Sequence, residues 1–308
     1  MGGISFNPDK DIPDLSGKVF LITGGTGGLG KECIIPLAKH NPAHVYFTGR
    51  NAESAATAIS EAKAVVPGAK VSFIRADLAD LESVQEAAKQ FVGQSQRLDV
   101  LMCNAGIMAH PPGLTKNGYE SQFGTNHVGH ALLIKLLLPT LERTAQDAHS
   151  DVKIILLSST GFRMHPPAGI IFKDLQTTQD NFMVMGTWIR YGQSKVANVI
   201  YAHELARRYP NITSVSVHPG VVKTALVGDL DFWHKALVYA TNIGSMKAPE
   251  EGAWHQLWAA TADKSAMKNG AFYEPMAILG KESKMSSSPE LGEDLWTWTQ
   301  KQLEPYHL

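Results

Sequence analysis

From Lys18 onward, short apolar runs alternate with longer stretches of helical period, and this alternation constrains the fold more than any other feature. The runs "KVFLIT", "HVYFTG", "KVSFIR", "LDVLMCN" and "VKIILLSS" are rich in Val, Ile, Leu and Phe. Runs apolar on both faces suit strands buried in a parallel sheet. Between them lie segments such as "LESVQEAAKQF", where Val84, Ala87, Ala88 and Phe91 share one helical face. "NITSVSVHPG" supplies a sixth strand and "GAFYE" a seventh. The expected class is α/β: a doubly wound parallel sheet of about seven strands with helices on both faces.

No internal repeat or low-complexity linker interrupts the pattern. The expected organisation is an unstructured N-terminal arm, residues 1–16, and a single domain over 17–308, with its last helix from about Pro289 to Leu303. Two stretches read as insertions, 160–187 and 225–250, both richer in Met, Trp, Phe and Gly than plain connections. A hydrophobic content of 44% over 308 residues is ample for a core, and a formal charge of -1 creates no field for nucleic acid or an anionic membrane. Two cysteines, Cys33 and Cys103, form neither a disulfide framework nor a metal-ligand set, which fits a reducing compartment. No apolar run is long enough to span a bilayer. The opening "MGGISFNPDKDIPDLSG" lacks a secretory pattern, and Phe6 stands where a myristoylation motif has Ser or Thr. A cytoplasmic location is therefore expected.

"KVFLITGGTGGLGKECIIPLAKH" reads as strand, glycine-rich turn and helix. Thr23, Gly24, Gly28 and Gly30 fit TGxxxGxG, a spacing different from the commoner GxGxxG. Glycine there permits positive φ and close approach of backbone to a pyrophosphate, whose charge then meets the helix N-terminus. Thr26 and Leu29 complete the turn's candidate cofactor contacts. The second strand ends in Gly49-Arg50-Asn51, and an arginine at that point suits a ribose 2'-phosphate, whereas a free 2'-hydroxyl wants a carboxylate. Arg50 thus favours NADP over NAD, with Lys31 available to assist. The third strand ends at Asp77-Leu78, where the Asp77 carboxylate is either an adenine contact or the N-cap of the next helix. In "RYGQSKVANVI", Tyr191 and Lys195 lie four residues apart on one helical face. Taken alone, that pair is far more often surface decoration than an acid beside the charge that tunes it.

The fourth strand ends in "CNAG". With "TGGTGGLG", "DL", "NAG", "SS" and "YGQSK" in order, followed by "HPGVVKT", the chain resembles the short-chain dehydrogenase/reductase family over nearly all of residues 17 to 300. Within it, "FGTNHVGH" and "LWTWTQKQL" are most similar to the retinol-dehydrogenase-like group and its fungal short-chain oxidoreductases. The resemblance implies a Rossmann-type fold and gives each residue a role. Tyr191 exchanges a proton with the substrate oxygen. Lys195 lowers the tyrosine's pKa, together with the nicotinamide charge, and holds the nicotinamide ribose. Ser159 rather than Ser158 orients the substrate oxygen, and Asn126 anchors a water leading to Lys195. Asn104, Ala105 and Gly106 pass the adenine ribose, while Pro219, Gly220, Val222 and Thr224 shape the nicotinamide site.

One departure stands out. Ser159 and Tyr191 are 32 residues apart, where shorter members have a much tighter spacing, so residues 160–187 must loop out and return. The twelve histidines show no metal-ligand set, and no metal is expected. The amphipathic "DLDFWHKALVYATNIGSM" serves equally as substrate lid, membrane contact or contact of a homodimer. The expected function is NADP-dependent ketoreductase chemistry of secondary metabolism, interconverting a carbonyl and a secondary alcohol. A moderately large apolar substrate is expected from Met108, Phe162, Met164, Trp188, Phe232 and Trp233, with residues 108–113 and the two insertions as pocket walls. Two other readings use the same motifs: a tailoring dehydratase or epimerase, and a non-catalytic NADP-binding sensor or scaffold. The intact set of Ser159, Tyr191, Lys195 and Asn126 counts against the last.

Overall fold

A computed structural model describes residues 3–147, 150–182, 185–222, 235 and 246–308. The strands fall on the apolar runs: β1 Val19–Ile22, β2 His44–Gly49, β3 Val71–Arg75, β4 Val100–Cys103, β5 Lys153–Leu157, β6 Thr213–Val217 and β7 Phe272–Glu274. An eighth, β8 Ile278–Leu279, was not expected; two residues turning back antiparallel on β7 are too few to carry a period. The sheet order is β3-β2-β1-β4-β5-β6-β7-β8, parallel from β3 through β7.

Among the described residues the helices are α1 Pro8–Asp11, α2 Gly28–Lys39, α3 Ala52–Val65, α4 Leu81–Gln94, α5 Ser121–Phe123, α6 Gly129–Ala145, α7 Gly186–Arg208, α8 Pro249–Thr261 and α9 Pro289–Gln302. Alternation along β1 shows why its run is apolar throughout. Leu21 joins the core under α4, α6, α7 and α9, while Phe20 and Ile22 join the core under α2, α3 and α8. Strand order reverses beside β1, which pairs with both β2 and β4. Their carboxyl ends open the crevice where doubly wound folds bind ligands.

Four expectations change or fall outside the described residues. The N-terminal arm is not unstructured: Asn7 caps α1, and Phe6, Ile12 and Leu15 are buried against the α2–α8 layer. A four-residue helix has too few turns to show a period. Asp77 is not the cap of α4; Asp80 accepts from the N–H groups of Glu82 and Ser83 at 3.1 and 3.2 Å. Within the insertion placed at 160–187, the described residues form 3-10 turns at Thr160–Met164 and Phe172–Asp174, and its end overlaps α7. Of the insertion placed at 225–250, most lies outside the described residues, including Phe232 and Trp233, and its end overlaps α8.

Candidate active site

The glycine turn is built so that side chains are excluded. Gly24 and Gly28 adopt φ of +71° and +52°, the left-handed region that favours glycine. A Cβ on Gly30 would lie 2.5 Å from both Asn104 Nδ2 and the Gly24 carbonyl, so the first turn of α2 closes directly on the turn and on β4. A Cβ on Gly49 would meet Thr26 at 2.5 Å, which places the end of β2, and hence Arg50, beside the same turn. Gly27 provides no side-chain cap to α2. Open N–H groups at a helix N-terminus over a glycine cradle are the donor set a pyrophosphate needs, so these residues fit a dinucleotide.

Buried polar groups lock this cradle to the segment after β4. Thr23 Oγ1 accepts from the N–H groups of Asn104 and Ala105 at 2.9 and 3.0 Å, and Asn104 Nδ2 donates to the Thr23 carbonyl at 2.8 Å. His130 completes the arrangement. Its Nδ1 faces the Asn126 carbonyl at 2.9 Å and must therefore carry the proton, leaving Nε2 to accept from Thr23 Oγ1 at 2.8 Å. Gln256 on α8 donates to Asn104 Oδ1 at 3.0 Å and, at 3.3 Å, to the Leu29 carbonyl. Neither His130 nor Gln256 was expected at the site. Only the "GH" after the asparagine motif hinted at the former, and nothing in the spacing hinted at the latter.

The remaining cofactor candidates spread along the same carboxyl edge. Arg50 is exposed immediately after β2. Lys31, expected to assist it, is instead paired with Glu61 at 2.7 Å. Asp77 is half-buried and accepts from the Ala79 N–H at 3.0 Å, and the Leu78 carbonyl packs where a Cβ on Gly129 would sit, at 2.5 Å. Pro219 follows β6, Gly220 has φ +89°, and Val222 packs on Gly252 of α8. Thr224 lies outside the described residues.

Asn126 sits in a five-residue π-helix, Gly124–Val128, between α5 and α6. Such bulges re-aim a side chain within an otherwise α-helical path. Here Asn126 Oδ1 accepts from the Ile107 N–H at 2.8 Å, and Nδ2 donates to the Ile107 carbonyl and Ser194 Oγ, both at 2.9 Å. Ser194 in turn donates to the Tyr191 carbonyl at 2.8 Å, so the asparagine is wired to the helix turn that bears Tyr191. Gly106 is the point where these groups converge: a Cβ there would lie 3.0 Å from Asn126 Oδ1 and 3.3 Å from Lys195 Nζ.

Tyr191 and Lys195 share the buried face of α7, with Lys195 Nζ 5.8 Å from the tyrosine ring centre. Lys195 donates to the Leu157 carbonyl at 3.0 Å, at the end of β5. Ser158 Oγ is committed to the Lys195 carbonyl at 2.8 Å, whereas Ser159 is half-buried and its Oγ accepts from the Gly161 N–H at 3.1 Å. The two serines thus divide as alternation along a strand requires. Burial pushes the Tyr191 phenol up to about 12, with the neighbouring Ser159 hydroxyl pulling the other way. Burial also brings Lys195 down to about 8. At neutral pH the phenol is protonated, which is the form of a proton donor.

An apolar cluster surrounds the phenol: Ala109 and Trp188 are buried with Tyr191, and Met108, Met164, Val221 and Met246 pack against them. Phe162, expected in this wall, is instead in the core, edge-on to Phe272 at 5.2 Å. Among the described residues no group of His, Cys, Asp and Glu is arranged to hold a metal, and no helix is long and apolar enough to cross a membrane.

A family profile described as short chain dehydrogenase matches residues 18–172, half of the chain. The protein is a member of the short-chain dehydrogenase/reductase family. An uncharacterized oxidoreductase of Schizosaccharomyces pombe is 39% identical over 301 residues, covering 96% of this chain and 87% of that protein. A short-chain dehydrogenase/reductase of Armillaria gallica is 38% identical, covering 96% and 94%, and mouse retinol dehydrogenase 11 is 34% identical, covering 84% and 78%. Among solved structures, an uncharacterized protein from Mycobacterium paratuberculosis superposes with a TM-score of 0.74 at 26% identity, covering 98% of each chain. This short-chain dehydrogenase/reductase is accordingly an NAD(P)-dependent oxidoreductase, and the Rossmann-type sheet is the expected one with an added edge strand.

Proposed function

We propose that the protein is an NADP(H)-preferring oxidoreductase that interconverts a ketone and a secondary alcohol on a moderately large apolar substrate. The observation that carries this reading is Tyr191: its phenol is buried in an apolar cluster, and it lies one helical turn from Lys195, whose Nζ sits beside Gly106. NADPH supplies the hydride. Tyr191, protonated at neutral pH, gives its proton to the developing alkoxide. Ser159 donates to the same oxygen and orients it, and Lys195 passes the replacement proton toward Tyr191 from a water that Asn126 anchors. Three methionines around the phenol favour an apolar substrate, because thioether side chains fit irregular hydrocarbon surfaces. Two buried, unpaired cysteines accord with a cytoplasmic setting.

The NADP preference rests on Arg50, exposed beside the turn at the place where a carboxylate would hold a free ribose. Titration of intrinsic tryptophan fluorescence with each cofactor should show tighter binding of NADPH than of NADH. Arg50→Ala should weaken NADPH by about ten-fold, the scale of one lost charge-assisted contact, and leave NADH unaffected. Equal affinities in the wild type would refute the preference.

A further inference from the structure

Arg190 immediately precedes Tyr191, and the residue is 1% exposed. Its guanidinium reaches three separate segments. Nη1 donates to the Gln179 carbonyl at 3.0 Å, in the long stretch before α7. Nη2 donates to the His110 carbonyl at 3.3 Å, in the loop after β4. Nε lies 3.6 Å from Glu120 Oε1. Glu120 is fully buried and accepts from the N–H groups of Gln122 and Phe123 at 3.0 and 2.7 Å, so the same carboxylate caps the helix leading to Asn126.

The stretch before α7 is fastened at further points. Gln179 has a left-handed backbone, φ +50°, and its side chain accepts from Gln193 Nε2 at 2.9 Å. Gln193 Oε1 accepts from the Ile171 N–H at 2.9 Å, and Gln122 donates to the Thr187 carbonyl at the same distance. The residues next to these anchors make the wall around the phenol. Met108 and Ala109 precede His110, and Trp188 lies two residues before Arg190 with its ring 6.3 Å from that of Tyr191.

A buried ion pair at 3.6 Å adds little net stability, because desolvation opposes its Coulomb gain. Burial indeed holds the Arg190 pKa down and the Glu120 pKa up. What the guanidinium adds is geometry, since one rigid planar fork fixes two loops against α7. We propose that Arg190, held by Glu120, is a specificity-determining positioning residue that joins the loop over residues 107–113 to the segment over 160–187 and so sets the width of the apolar substrate slot. The role in substrate choice rests on the ketone-reductase reading above; the joining of the two loops does not.

The test uses the full chain as wild type, Arg190→Lys and Glu120→Gln, the last keeping an acceptor for the helix cap. Circular dichroism and thermal melting establish which variants fold, and NADPH affinity is followed by tryptophan fluorescence. Turnover is measured on a series of aryl ketones of increasing bulk. NADPH affinity should stay within about two-fold, as expected for a separate site. The ratio of kcat/KM between bulky and small ketones should shift by roughly ten-fold, carried by KM, the scale of a lost buried charged contact. Trypsin should also cut faster after Arg163 or Lys173 in both variants by roughly ten-fold, since cleavage follows the population of the opened segment. A bulk ratio preserved in folded variants, or a uniform loss through kcat alone, overturns the specificity role. Unchanged proteolysis overturns the joining itself. Wild-type protein that reduces no ketone of the series would count against the ketone-reductase reading and the specificity role together, while proteolysis would still decide the joining.

Discussion

Tyr191→Phe is expected to lower kcat by roughly 10²- to 10⁴-fold, the contribution of a positioned proton donor, while NADPH binding stays near wild type. The change removes one oxygen from a ring that Trp188, Ala109 and the surrounding methionines hold in place, so packing is preserved. Burial keeps the phenol protonated to about 12, so reduction by the wild type should not be lost through tyrosine ionisation anywhere below that value. Lys195 is the group that titrates nearer neutrality. Burial brings it to about 8, so a rate limb near that pH, absent in Lys195→Met, is the companion signature. Stopped-flow single turnovers separate the chemical step from product release. Turnover in Tyr191→Phe within a few-fold of wild type would remove the phenol from the mechanism.

The second large effect is on stability in acid. His127, His130, His218 and His255 are all buried, and burial holds the first down to about 3 and the other three to about 4. In the unfolded chain each titrates near 6.5. Above that value both states are neutral and the histidines have no pH-dependent effect. As pH falls below it the unfolded state binds protons that the folded state refuses, so stability is lost until the folded values are reached. By pH 5 each histidine removes about 2 kcal/mol, and four together approach the whole stability of an ordinary domain. Chemical denaturation followed between pH 7 and pH 5 should show the midpoint falling steeply. A flat profile would mean that these imidazoles are protonated in the folded protein. His130 has an added consequence, because a protonated Nε2 can no longer accept from Thr23, and the cradle should loosen with it.

The strands were legible because burial on both faces makes their runs continuously apolar, as Phe20 and Leu21 on opposite sides of β1 illustrate. The glycine turn was legible because its conformations exclude other residues, and Tyr191 with Lys195 because one helical turn brings them together whatever the tertiary fold. What stayed hidden depends on partners far apart in sequence. Thr23 and His130 are separated by 107 positions and Gln256 and Asn104 by 152, and no local period records such pairs. Glu61 captured Lys31 in the same way. Phe162 was misplaced because composition tells that a side chain is apolar, not whether it faces a core or a slot. Asp80 rather than Asp77 became the cap because two carboxylates precede the same helix and only the backbone geometry chooses between them.

The most direct measurement incubates the purified protein with NADPH and a panel of apolar ketones, then weighs the products. Hydride transfer with proton donation requires one NADPH consumed for each secondary alcohol formed, heavier than its ketone by two hydrogens. With NADPH deuterated at its transferable position, one deuterium should appear on the carbinol carbon. A product formed by loss of water or inversion of a centre, with no net consumption of NADPH, would contradict carbonyl reduction at Tyr191.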